Sequence, residues 1–318
     1  MERVKLGQTP FQISRVGLGT WAIGGGEYQS GWGPQDDEES VETIHAALAG
    51  GINWIDTAAV YGLGRAEAVL RVALQGLADR PFIFTKCSQR WTEDRVVYSC
   101  LKRDSILEEV EGSLTRLGVD CLDLYQLHRP WPEEDLEEGW ATLADLKAQG
   151  VVRAIGVSQF SLAQLEIAGS IAEVDTLQPK YSLIDRTVET EILSYCDSRG
   201  IGVITYSPMG SGLLTGAMTA SRVAALPPDD WRGRSPDFRG PQLQRHLRVA
   251  ERLAAIGRRL DCSPGTVAVA WVLANPAVAG AIVGFRSAAQ VASLLSAPEI
   301  RLAPGMLAEL DEVTGGSG

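Results

Sequence analysis

Four residues in the first half of the chain are of the types needed to move a proton onto an oxygen atom. Asp56 and Tyr61 lie in Asp56-Thr57-Ala58-Ala59-Val60-Tyr61-Gly62, Lys86 follows Phe82-Ile83-Phe84-Thr85, and His128 closes Leu124-Tyr125-Gln126-Leu127. Asp56, Lys86 and His128 each end an apolar run, and Tyr61 sits in the loop beyond Asp56. A phenol and a lysine ammonium both titrate near about 10 when unperturbed. An ammonium within hydrogen-bond reach favours the phenolate and lowers the phenol's pKa, which brings it toward use as a general acid. A neighbouring carboxylate would keep the lysine charged and oriented, and a neutral imidazole would hold a carbonyl oxygen. The set suits protonation of oxygen while a hydride arrives at carbon. Taken singly, an aspartate at a strand end is an ordinary cap and a lysine there an ordinary solvated charge. His128 stands apart because the chain has only three histidines, and His45 and His246 fall in helical patterns.

These residues need elements that bring successive strand ends to one face. Short apolar runs alternate with amphipathic stretches of helical length throughout the chain. The strands are expected at Val16–Gly19, Asn53–Asp56, Phe82–Lys86, Leu122–His128, Ala154–Ser158, Thr176–Gln178, Gly202–Ser207 and Ala281–Gly284. The helices are expected at Glu38–Ala49, Ala66–Leu77, Asp104–Leu117, Glu134–Gln149, Leu162–Ala168, Glu189–Arg199, Leu243–Leu260 and Ala288–Leu295. Strand–helix alternation implies parallel strands joined by crossover helices. Eight such units without a shift in composition favour a single α/β domain over residues 1–318, a (β/α)8 TIM barrel, over an open sheet. Asp56, Lys86, His128, Ser158, Gln178 and Tyr206-Ser207 all fall at C-terminal strand ends, which a barrel gathers at one mouth. Ser161 and Ser263-Pro264 read as helix starts, and Gly50-Gly51, Gly118, Gly150 and Gly200 as helix ends. Val4 to Ser14 reads as an N-terminal β-hairpin plugging the barrel bottom. Met209 to Pro241 is a long loop after strand 7, rich in Gly, Pro and Arg and either functional or disordered. The tail Gly315–Gly318 reads as disordered.

The chain has 29 basic and 40 acidic residues, a formal net charge of −11, and 45% hydrophobic residues. Such a field repels nucleic acid, and no basic block offsets it. No apolar run is long enough to span a bilayer and no signal peptide is read, so the expectation is a cytoplasmic protein without a membrane partner. Cys87, Cys100, Cys121, Cys196 and Cys262 are odd in number and widely spaced, which reads as free thiols in a reducing compartment. No metal is expected, since clustered His and acidic ligands are lacking. Gly62-Leu63-Gly64 lacks the third glycine of a dinucleotide fingerprint, and Gly24-Gly25-Gly26 reads as a turn.

Gly51-Ile52-Asn53-Trp54-Ile55-Asp56-Thr57-Ala58-Ala59-Val60-Tyr61-Gly62 resembles the signature of the aldo-keto reductase family, as do Gly156-Val157-Ser158-Gln159-Phe160 and Tyr206-Ser207-Pro208-Met209 followed by Gly212-Leu213-Leu214-Thr215-Gly216. The resemblance runs from about Val16 to Ala297 and is nearest to the bacterial branch of aryl-alcohol, polyol and general-stress reductases and to potassium-channel β subunits. It implies a catalytic tetrad of Asp56, Tyr61, Lys86 and His128 and reduction of an aldehyde or ketone by NADPH, with NADH possible. It also implies that Thr20, Trp21 and Asp56 border the cofactor and that Ser158, Gln159 and Gln178 hold its carboxamide. Tyr206 would stack on its ring. Ser207, Pro208, Met209, Gly210, Ser211, Gly212 and Leu213 would wrap the pyrophosphate, and Gly284, Arg286 and Gln290 would grip the adenosine end. A guanidinium there suits a 2′-phosphate by charge and fork geometry.

Three departures stand out. Gln159 replaces the usual Asn, Ala217 replaces a lysine, and Ser293-Leu294 replaces a Glu-Asn pair. Arg222, Arg232 and Arg234 in the long loop are the candidates to compensate. Trp21, Trp32, Trp91, Trp131 and Trp231 fall in loops on the active side, where Trp21, Trp91 and Trp131 are expected to wall the substrate pocket with Tyr61 and His128. Trp54, Trp140 and Trp271 read as packing residues. The partner is a small-molecule carbonyl compound, and the oligomeric state is open. The alternative reading is a nucleotide-binding sensor with slow or no turnover.

Overall fold

The computed structural model describes residues 1–26 and 28–315. An antiparallel hairpin, β1 (Arg3–Lys5) and β2 (Gln12–Ser14), opens the chain. Then follow β3 (Val16–Gly19), α1 (Asp37–Ala49), β4 (Trp54–Asp56), α2 (Arg65–Leu74) and β5 (Phe82–Cys87). A second hairpin, β6 (Gln89–Trp91) and β7 (Val97–Ser99), precedes α3 (Arg103–Leu117), β8 (Leu122–Leu127), α4 (Leu136–Ala148), β9 (Val152–Ser158) and α5 (Leu162–Ile171). The chain continues with β10 (Thr176–Gln178), α6 (Ile192–Arg199), β11 (Gly202–Tyr206), α7 (Ala220–Ala224), α8 (Gly240–Leu260), α9 (Pro264–Leu273), β12 (Val278–Gly284), α10 (Ala288–Ala292) and α11 (Pro304–Thr314).

Strands β3, β4, β5, β8, β9, β10, β11 and β12 pair in that order, all parallel, and β12 closes on β3. This is the expected (β/α)8 barrel. Its lower interior is dry. Trp54, Phe84, Leu124, Ala154, Ile204 and Ile282 pack there against Leu6, Phe11 and Ile13 of the first hairpin, so that hairpin is the barrel's floor. The Trp54 indole donates to the Ser14 carbonyl at 2.8 Å. It lies across the backbone of Gly17, where an added Cβ would come within 2.3 Å of the ring. Only glycine fits beneath it.

The helix signals hold where they name a cap. Ser161 and Gln164 form a reciprocal capping box, and Ser263 caps α9 with Pro264 in its first turn. Gly118 and Gly200 end α3 and α6 in the left-handed conformation that lets a helix stop. The expected helix over Glu134–Gln149 instead starts as a 3-10 turn, Glu133–Asp135, and α2 stops at Leu74 rather than Leu77. The second hairpin and α11 lie outside the expected elements. The long loop is ordered: it holds α7 and 3-10 turns at Gly210–Thr215, Trp231–Arg234 and Pro236–Phe238. Gly315 caps α11, and the rest of the tail expected to be disordered lies outside the described residues. Among the described residues no helix is long and apolar enough to cross a membrane.

Candidate active site

Side chains alternate along a strand, so the residues two positions above the dry floor also face inward. Above Trp54 stands Asp56, above Phe84 stands Lys86, and above Leu124 stand Gln126 and then His128. Here the interior turns polar. Lys86 is buried, and its ammonium donates to Asp56 Oδ2 at 2.8 Å, to the Thr57 carbonyl at 2.9 Å and to Tyr61 Oη at 3.2 Å. Its three N–H bonds thus have three acceptors. Asp56 Oδ1 accepts from Gln178 Nε2 at 2.7 Å, and the same amide reaches Gln126 Oε1 at 3.3 Å. Tyr61 lies against His128, edge to face at 5.7 Å, and near-parallel to Trp21 at 6.2 Å. The four expected catalytic residues therefore meet at one point, carried by β4, the turn after it, β5 and the end of β8.

Burial is the first influence on every charge here. It pulls Lys86 below and pushes Asp56 above their ordinary values, and their mutual attraction opposes both shifts. Burial, then the Lys86 and Arg129 charges, hold His128 well below its usual range, so its ring is neutral at pH 7. Tyr61 departs from expectation. Instead of being lowered, its pKa is raised by burial and then by the Asp56 carboxylate, with Arg129 opposing. Desolvation of the phenolate outweighs nearby positive charge.

A cavity of about 910 Å³ opens over this cluster. Asp56, Tyr61, His128, Ser158, Gln159, Gln178 and Tyr206 border one part of it, Ser207, Pro208, Met209, Ser211 and Gly212 another, and Gly284, Arg286 and Gln290 a third. Ser207, Gly210, Ser211 and Gly212 all hold left-handed backbone, a conformation that gathers N–H groups into an anion-binding concavity. A Cβ added to Gly284 would meet nothing nearer than 3.9 Å. Space, a backbone nest and an open glycine are what an elongated nucleotide with a pyrophosphate needs, and the residues fit a nicotinamide dinucleotide. Gly210 and Leu213 are buried and do not line the cavity. Thr20 does not line it either; its hydroxyl holds the Asp56 carbonyl at 3.1 Å.

The Arg286 side chain donates to Gln35 Oε1 at 2.7 Å, to the Trp32 carbonyl at 3.1 Å and to the Pro34 carbonyl. Ala217, Arg222, Arg232 and Arg234 all border the cavity, but Arg232 is paired with Asp230 at 2.6 Å and Arg234 is held by the Pro228 and Gln29 carbonyls. Gln159 takes φ 62, a left-handed conformation in which a long side chain is strained, and its amide oxygen accepts from Arg129.

Trp21 borders the cavity as expected, whereas Trp91 and Trp131 do not. Trp91 belongs to the second hairpin, and Trp131 is half exposed on the outer surface. Their places are taken by Trp32 and by Trp231 of the long loop, whose ring stacks on Trp21 at 5.3 Å. Gln126, which accepts from Gln178, and Tyr28, which borders the cavity, were not singled out by the sequence. Alternation in Leu124-Gln126-His128 points Gln126 inward, but nothing local marks Tyr28. Among the described residues no three His, Cys, Asp or Glu side chains gather as a metal site.

Comparison with known proteins gives the same picture. The chain is 36% identical to the aldo-keto reductase YhdN of Bacillus subtilis, over 99% of this chain and 89% of the relative. It is 34% identical to the NADH-specific methylglyoxal reductase of Escherichia coli, over 95% of each. A solved glycerol dehydrogenase of Gluconobacter oxydans superposes with a TM-score of 0.88 at 34% identity, covering 98% of this chain and 94% of that one. The model of the Aldo/keto reductase family matches residues 15–314. That match takes in every barrel strand and every helix, and the chain belongs to the aldo/keto reductase family.

Proposed function

We propose that this chain, acting as one barrel domain over residues 1–318 in the cytoplasm, reduces the carbonyl group of an aldehyde or ketone to an alcohol. The reaction is reversible and uses NADPH, with NADH as the alternative donor. Tyr61 is the proton donor. One observation carries this reading. Lysine has no acceptor, so the Lys86–Tyr61 bond uses a lone pair of the tyrosine oxygen. The hydroxyl hydrogen has no acceptor among the described residues, and Tyr61 borders the cavity. It is available to a carbonyl oxygen.

The raised pKa supports the same role, because a general acid must arrive protonated. As the proton leaves, the Lys86 ammonium stabilises the phenolate, and Asp56 keeps that ammonium charged. The neutral His128 ring can donate to the same carbonyl oxygen and orient it. The reduced nicotinamide, when bound, supplies the hydride. Gln178 uses its N–H groups on Asp56 and Gln126, which leaves its carbonyl oxygen for the carboxamide, beside Ser158 and Gln159. Tyr206 would cover the ring, Ser207, Pro208, Met209, Ser211 and Gly212 the pyrophosphate, and Gly284, Arg286 and Gln290 the adenosine end. Trp21 and Trp231, stacked on each other, give the cavity an aromatic wall beside the reacting centre.

The test is a fluorescence titration with NADPH and NADH, followed by a panel of aldehydes and ketones monitored by loss of nucleotide absorbance. Tight binding and substrate-dependent oxidation are expected. Tyr61→Phe should bind nucleotide like wild type and lose turnover by roughly 10²–10⁴-fold. Wild-type turnover in that variant would remove Tyr61 as the acid. Binding without turnover of any carbonyl would leave a nucleotide sensor.

A further inference from the structure

We propose that Arg129 makes this site selective for carbonyl compounds that also carry a carboxylate. The inference rests on the reductase reading and names the substrate class that reading leaves open. The protein carries a net charge of −11, so a cation left without an acid in its cavity runs against its composition. The other cations bordering the cavity have partners that hold them. Lys180 pairs with Asp185 at 3.0 Å and Arg232 with Asp230 at 2.6 Å. Arg234 and Arg286 donate to backbone carbonyls of the loop over residues 29–34. Arg222 reaches the Ala217 carbonyl at 3.4 Å. Arg129 donates to Gln159 Oε1, and among the described residues it has no ion pair.

Arg129 is exposed and borders the cavity together with Tyr61 and His128. Arg129 follows His128 directly, and its backbone N–H is fixed on Ser88 Oγ at 3.3 Å. Its charge is felt at Tyr61, His128 and Tyr206 alike. The nearby wall is neutral: Trp21, Val60 and Val97 pack with Tyr61. Among the described residues, Arg129 is the charge without an ion pair beside Tyr61 and His128. A guanidinium has five N–H donors in a fork that matches a carboxylate. One bond to Gln159 leaves the rest. A phosphate carries more negative charge and calls for more than one cation, so the single guanidinium favours the carboxylate.

The experiment compares 3- and 4-carboxybenzaldehyde with their carboxamides, using the full chain and NADPH. Wild type should prefer the acids by about tenfold or more in kcat/KM, the scale of one charge-assisted hydrogen bond. The preference should shrink as salt is raised. Arg129→Met should cut turnover of the acids and affect the amides far less, and Arg129→Lys should restore part of the difference. Binding is read separately: benzoate should bind the NADP+-loaded wild type more tightly than benzamide, and Arg129→Met should erase that gap. Equal handling of acid and amide by wild type overturns the proposal. So does an equal loss on both in Arg129→Met accompanied by weaker nucleotide binding, which would assign Arg129 to holding Gln159. Failure to reduce any carbonyl, in contrast, would strike the reductase reading itself.

Discussion

Strand β5 has buried carboxylates on both of its faces, and the two faces are built differently. Inside the barrel, Lys86 meets Asp56, and both Asp56 oxygens are bonded, one by Lys86 and one by Gln178. Outside, beneath α2 and α3, Glu67 is equally well served, by the Thr85 hydroxyl and by Arg116, each at 2.7 Å. Glu109 is not. Its Oε1 accepts from the Ser88 N–H at 3.2 Å and from Ser105 Oγ at 3.3 Å, but its Oε2 is buried without a partner. Burial pushes this carboxyl up to about 7, against the pull of the Ser88 N–H and of Arg90 and Arg116. Burial pushes both Asp56 and Glu109 toward their neutral forms; Asp56 has a directly bonded ammonium opposing that shift, whereas Glu109 has neutral donors on one oxygen and none on the other. The inner face borders the cavity, while the outer face ties the strand to α2 and α3.

Breaking the inner face should have the largest effect. Lys86→Met removes the cation from Asp56 and Tyr61, and turnover should fall roughly 10²–10⁴-fold. The same change leaves a buried carboxylate unpaired, which costs about 3–5 kcal/mol and is read by chemical denaturation. Equal turnover in variant and wild type would mean that the inner network is structural only.

The dry floor below it offers a control without charge. Trp54→Ala should destabilise the protein by about 3–5 kcal/mol, the scale for an emptied aromatic site. In molecules that remain folded, nucleotide affinity should change little. A large loss of affinity with unchanged stability would show that the floor and the mouth are coupled.

Glu109 sharpens the contrast through pH. Its carboxyl is raised in the folded state from 4.5 to about 7. Between those values the folded protein keeps a proton that the unfolded chain has released. Stability from this group is therefore full below about pH 4.5 and is lost as pH rises through about 7, a change of about 3 kcal/mol. Glu109→Gln keeps an acceptor for Ser88 and cannot ionise. It should flatten this slope and leave the variant more stable than wild type at pH 8, as thermal melts across the window would show. A slope that survives the substitution belongs to another group.

How much of this was legible depended on whether the signal was local. Apolar runs of strand length, helix-length amphipathic stretches and capping residues are written within a few neighbours, and they located the eight barrel strands and the caps at Ser161 and Ser263. The polar residues ending those runs pointed to Asp56, Lys86, His128, Ser158, Gln178 and Tyr206 as a group, because a closed parallel barrel leaves strand ends only one shared mouth. Strand boundaries moved by one to three residues, as at Asn53, His128 and Val278, where pairing with a neighbour decides the end.

What the sequence withheld were contacts between segments far apart in the chain. Trp91 and Trp131 follow strand ends just as Trp21 does, yet hairpin pairing and outward turning keep them from the cavity, while Trp231 arrives from about 200 residues away to stack on Trp21. The long loop read as either functional or disordered because its short turns are held by contacts such as the Trp32–Asp230 bridge, not by periodicity. The sign of the Tyr61 shift likewise needed three dimensions. Its neighbours' charges can be guessed from sequence, but the depth of burial that outweighs them cannot. Patterning fixes which residues face inward; only the closed barrel fixes how dry that interior is and which distant side chains complete its walls.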